Sequence, residues 1–332
     1  MSLYSAETRR LSKRRMTRVF LVLLVLALAA VVGGTGFVSK QHTPAVLAQA
    51  KADAAAAYQQ DTGYANEEKT RCAAAPEQYG GNCDSLWTPS ESDYVAENYL
   101  PAIFNFRELF PTMLFVLAVL LALAAFAIGA SFVGVEWRTG GMMNLLLWRP
   151  QRIRVLVTKL AALLGALTAL TAFTTVLWTA AFWAIGKYRG ETGRLTSGVW
   201  QSFGLTSLRG LVLVLVAATL GFGIASIGRH TAAAFGVAIG AVVVLQFGLG
   251  TVLNLAQVRF SDLYLAPYWI VAWLDKSVEI TDWNAPCDFS ATSGCEQPVF
   301  TITWQMSGAV LAALFVLVTA TAMWTIRKRD IT

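Results

Sequence analysis

Apolar runs and short charged stretches alternate along this chain. Six of the runs lack any charged side chain over about the 20 residues that a helix needs to cross a hydrocarbon layer of roughly 30 Å. They fall at residues 19–38, 110–135, 160–186, 210–228, 232–253 and 304–326. The pattern predicts an all-α integral membrane protein with six transmembrane helices, joined by segments 39–109, 136–159, 187–209, 229–231 and 254–303. Composition agrees. With 56% hydrophobic and 14% charged residues and a mean hydropathy of +0.54, too little polar surface remains for an ordinary soluble domain.

Charge sets the expected orientation. Residues 1–18 carry Arg9, Arg10, Lys13, Arg14, Arg15 and Arg18 against the single acid Glu7, directly before the first apolar run. A cleaved signal peptide is one reading, but the run is long and no small-residue cleavage site with a polar exit follows it, so a retained anchor with its N-terminus inside is expected. The arginine cluster then acts as a topology determinant and can extend into a helix at the membrane surface. Six spans return the tail, 327–332, with Arg327, Lys328 and Arg329, to the cytoplasmic side. The segments so placed inside hold 15 of the 26 Lys and Arg but only Glu7, Glu136 and Asp330 among the acids. The net charge of +6 therefore reflects topology, and no basic, aromatic-interleaved surface suggests nucleic acid.

The long segments carry their own signals. In 39–109 a helix is expected over 45–59, with Thr43 as cap, Pro44 in the first turn and alanines throughout; an irregular, Gly-, Pro- and Ser-rich stretch follows. In 254–303 the run 263–274, about a dozen residues with Pro267 inside and Asp262 and Asp275 near its ends, is too short to cross. It is expected to be a re-entrant or interfacial helix, whose Tyr264, Tyr268, Trp269 and Trp273 form an aromatic belt anchoring the outer leaflet or contact substrate. All four cysteines fall in these two outer segments, which fits an oxidising exterior. Three pairings are open; short local loops make Cys72 with Cys83 and Cys287 with Cys295 the most economical, and without clustered histidines a metal site is the poorer reading.

Between the second and third spans, 136–159 interleaves Glu136, Arg138, Arg149, Arg152, Arg154 and Lys159 with Met142, Met143, Leu145, Leu146, Leu147 and Trp148. Gly140 and Gly141 loosen the chain before this mixture and Pro150 discourages helix at Arg149, so a short amphipathic helix at a membrane surface is expected. A positive cytoplasmic loop is also what any polytopic protein needs. The series Glu136, Trp137, Gly140, Leu145, Leu146, Pro150, Arg152 and Lys159 resembles the corresponding loop of ABC-2 type permeases. That resemblance implies a coupling helix docking on a separate cytoplasmic ABC ATPase, with Glu136, Arg138, Met142, Leu145, Leu146, Trp148, Pro150 and Arg152 as the coupling residues. It also implies a second permease subunit, as homo- or heterodimer, meeting through the first and fifth helices, and short outer helices between the fifth and sixth.

Little else suggests chemistry. No GxxxxGK[ST], HExxH or GxSxG motif occurs, so ATP and Mg²⁺ are expected on the partner ATPase, with no cofactor, metal or catalytic residue on this chain. His230 reads as a turn or headgroup contact and Gln246 as an interhelix hydrogen-bonding group. Ala232, Gly236 and Gly240 form a small-residue row on the fifth helix that admits a close helix neighbour, by default within the subunit and, by the resemblance, near the dimer seam. The expected function is the permease subunit of an ATP-binding cassette exporter in a bacterial plasma membrane, surrounded by lipid and moving a hydrophobic or amphipathic cargo. The alternative is a membrane sensor or envelope-assembly protein with disulfide-stapled outer loops. Topology reporters fused before Asp262 and after Asp275 are expected to report the same, outer side; opposite sides would mean a seventh span.

Overall fold

In the computed structural model, residues 3–80, 82–141, 151–285 and 297–328 are described. Six helices among them are long and apolar enough to cross a membrane. A short amphipathic helix α1 (Leu3–Lys13) precedes α2 (Arg15–Val38). There follow α3 (Pro44–Ala74), α4 (Phe106–Arg138), α5 (Arg152–Arg189) and α6 (Ser197–Gly228). The fifth span, Thr231–Leu255, is α7 (Thr231–Ala241), a π-helical stretch Val242–Gly248 holding Gln246, and α8 (Leu249–Leu255). Then come α9 (Ala266–Asp275), strands β1 (Ser277–Thr281) and β2 (Val299–Thr303), and the last span α10 (Trp304–Lys328).

The helices overshoot the apolar windows. The polar segment expected over 187–209 is mostly helix, because α5 runs to Arg189 and α6 begins at Ser197. Hydropathy marks only the part of a helix at membrane depth, whereas the i→i−4 ladder continues wherever side chains tolerate it. For the same reason α3 extends past the expected 45–59 to Ala74. Its start is as the residues suggested: the Thr43 hydroxyl accepts from the Val46 amide at 3.4 Å, with Pro44 in the first turn.

The chain forms two compact units. The first comprises Met1–Val31, Phe110–Ala180 and Leu195–Thr332. Its centre is the contact of α4 with α6. A side chain at Gly129 would collide with the Ala218 carbonyl, and one at Gly221 with the Phe126 carbonyl, so glycine lets the two backbones touch. About 50% and 61% of the apolar windows of α4 and α6 are buried, against 6% for α2, 6% for Thr231–Leu255 and 11% for α10. Most of the apolar window of each of those three spans is left uncovered by the described residues.

The expectation of a purely helical chain needs correction at β1 and β2, which pair antiparallel in the register Ser277↔Thr303 to Thr281↔Val299. Both strands alternate: Val278, Ile280, Phe300 and Ile302 share one face, and Ile280 and Ile302 are buried with Ala272 of α9. A two-stranded ribbon is marginal alone, and the helix behind it supplies the apolar surface it needs. Beside it, Arg259 donates to Asp282 at 2.9 Å, which holds that carboxyl below its ordinary range.

The second unit comprises Val32–Leu109 and Ala181–Arg194. Backbone bonds between Phe104, Phe106 and Glu191 join its two segments, and Gly190 lies against the Phe104 carbonyl with no room for a side chain. On α3, Asp61 accepts from the Tyr94 hydroxyl at 2.6 Å, and this bond pushes the phenol up to about 12. Cys72, fully buried near the end of α3, is disulfide-bonded to Cys83; Cys287 and Cys295 lie outside the described residues. Closing a loop with a sequence separation of 11 removes denatured-state freedom, an effect of about 3 kcal/mol. Replacing Cys72 and Cys83 together by Ala is expected to make the 75–105 stretch the first protease-sensitive site, with the transmembrane helices still protected; limited proteolysis read by mass spectrometry checks this.

Candidate functional site

Glu136 lies in the last turn of α4 and Lys159 in the second turn after the start of α5, so the two flank the 142–150 segment from either end. The macrodipole at a helix C-terminus disfavours a carboxylate. What holds Glu136 is therefore a set of cations. Lys159 Nζ donates to Glu136 Oε2 at 2.7 Å and to Glu7 Oε2 on α1 at 2.7 Å, with its own side chain at 0% exposure. The other oxygen of Glu136 accepts from Arg14, in the single-residue break between α1 and α2. Arg14 also donates to the Phe132 carbonyl. The second oxygen of Glu7 takes the half-exposed Arg10 at 3.3 Å.

Phe132 closes the cluster from one side. The Arg14 guanidinium stands 4.8 Å and the Lys159 ammonium 5.1 Å from its ring centroid. Two carboxylates thus meet the buried ammonium of Lys159 and the partly buried guanidinium of Arg14, with Arg10 at the rim. Beyond the charges, α1 lies against α5, where a side chain at Gly165 would collide with the Tyr4 hydroxyl. The site has the chemistry of a fixed joint: α1 and the facing ends of α4 and α5 are held together by charge around a wholly buried ammonium.

Other expected site residues fall as follows. Trp137 lies beneath the guanidinium of Arg229, 5.0 Å from its ring centroid, and Arg229 itself adopts a left-handed backbone (φ 52°) in the α6–α7 turn. Arg138 is exposed at the end of α4. Met142, Leu145, Leu146, Trp148 and Pro150 lie outside the described residues, as does the side chain of Arg152, whose backbone opens α5. His230 caps α7, its Nδ1 accepting from the Ala232 amide at 3.0 Å. Around Gly236 and Gly240 nothing described lies within 4 Å of where a side chain would begin. Among the described residues the row Ala232, Gly236, Gly240 thus has no close neighbour at those glycines, and α7 packs through Ala234 on Ala130 and Ala225.

Sequence reasoning gave no role to Glu7 or Arg14 in such a joint. The one available signal was Glu7, a lone acid among six basic residues. Removing one member of a buried ion group leaves its partners uncompensated, at a cost of roughly 3–5 kcal/mol. Lys159→Met is therefore expected to lower thermal stability far more than Arg138→Met at the exposed end of the same loop, as measured by unfolding of the purified protein in detergent.

No curated protein matches the chain. The family model described as "ABC-2 family transporter protein" matches residues 1–330, nearly the whole chain. With six apolar helices of spanning length, the chain belongs to the ABC-2 family of transporter membrane proteins, as a multi-pass membrane protein.

Proposed function

We propose that this chain is the permease subunit of an ABC exporter in a bacterial plasma membrane, with both termini in the cytoplasm and power supplied by a separate ATPase that carries the ATP and Mg²⁺. The observation behind this reading is the joint of Glu7, Arg14, Glu136 and Lys159, which ties both flanks of the 142–150 segment to α1. A loop that only shields a membrane surface needs no rigid mount, whereas one that passes on a push does. Met142, Leu145, Leu146 and Trp148 would present the apolar face to the ATPase, Arg138 and Arg152 would meet acidic groups or lipid phosphates, and Pro150 would end the helix. Closure of the ATPases would then move α4 and α5 together.

The open surface at Gly236 and Gly240, and the small buried share of α2 and of Thr231–Leu255, support a second permease subunit seated there. A pathway lined by such helices carries few charges and suits a hydrophobic or amphipathic cargo. An aliphatic anchor buried in a protein groove commonly contributes about 2 kcal/mol or more. Leu146→Asp is thus expected to leave insertion and stability intact while abolishing co-purification of the ATPase and transport together. A variant that inserts and keeps its ATPase at unchanged affinity would make the loop a basic membrane anchor only.

A further inference from the structure

Most threonines in the spanning helices satisfy themselves. Thr158, Thr168, Thr174 and Thr179 of α5 each donate to the carbonyl four residues earlier at 2.8–2.9 Å, as do Thr219 of α6 and Thr319 of α10 at 2.6–2.8 Å. Thr171, midway along α5, does not. It is 4% exposed, and its hydroxyl is buried without a hydrogen-bond partner among the described residues. It lines a small cavity between α4, α5 and α6, walled on one side by Leu114, Leu117 and Leu121 and on the other by Thr175, Thr206 and Ser207. The space is on the order of one water molecule.

An unpaired hydroxyl at membrane depth is costly, and a cavity of this size stays dry only when its walls are apolar. Here four hydroxyls border it. Ser207 donates to the Phe203 carbonyl at 2.8 Å, which leaves its oxygen free to accept. We propose that this cavity is a structural water site, in which one water pairs with Thr171 and is shared with the hydroxyls of α5 and α6. The water would tie α5 to α6 where Gly210 brings α6 close to Ala118 of α4, a polar contact in an otherwise apolar part of the bundle.

The isosteric change Thr171→Val separates the possibilities in the full-length protein. If water is bound, the valine loses that bond and the unfolding midpoint falls, by roughly 2–4 °C, while Thr171→Ser, which keeps the hydroxyl, stays near the unmodified protein. In a dry cavity the valine removes an unsatisfied group, and a midpoint that holds or rises overturns the proposal. So does an equal fall in both variants, which would assign the effect to the methyl group. Independently, a density map resolving ordered waters should show a peak within hydrogen-bonding distance of Thr171 Oγ1; an empty cavity in such a map overturns the site.

Discussion

The Lys159 ammonium, wholly buried and bonded to two carboxylates from two other helices, is the constraint on which one end of the bundle depends. Removing an ion from water costs several kcal/mol even after relaxation, so such a group persists only where its partners are complete. Glu7 and Glu136 supply the counter-charge, Arg14 and Arg10 balance the remaining oxygens, and the Phe132 ring covers the cations. Each helix end is held because the others are. This is why α1, polar overall and unable to cross a membrane, has a fixed place beside α4 and α5.

Where α4 meets α6 in the first unit, contact is made by small residues rather than by charge. Gly129 and Gly221 let α4 and α6 touch backbone to backbone. Apolar side chains gain little by leaving lipid for one another, so close fit and hydrogen bonds must do what hydrophobic burial does in water. The aromatic groups around Arg209 of α6 illustrate the second kind: the Trp273 indole donates to the Arg209 carbonyl at 2.8 Å, while the Arg209 guanidinium lies 5.2 Å from the Trp304 ring. By these bonds α9, and the strand pair seated on it, are fastened to α6 and α10. Three left-handed non-glycine residues, Gln257, Phe260 and Lys276, mark the turns that fold this segment back on itself.

The second unit is stabilised differently again. Its long helix α3 buries only a thin line of residues, Ala50, Ala54, Ala65 and Cys72. With so little apolar area behind it, the disulfide to Cys83 and the bond from Tyr94 to Asp61 are among the contacts that fix the following stretch.

The sequence by itself determined the six spanning helices, because an apolar helix satisfies its own backbone and its hydrophobicity is a local property. The start of α3, the short helix over 266–275 and family membership were legible for similar reasons: Thr43 and Pro44, an aromatic run too short to cross, and a loop pattern from Glu136 to Lys159 all lie within a few residues of themselves. The strand pair was written in the alternation of 277–281 and 299–303, but a five-residue alternation in a polar segment acquires meaning only when a partner strand and α9 cover one face. The joint was out of reach. Glu7 and Lys159 are 152 residues apart, and a lone glutamate among arginines looks the same in sequence whether it faces water or a buried ammonium. Only the tertiary structure decides which, because burial, and with it the strength of every charge pair, is a property of the surroundings rather than of the residue.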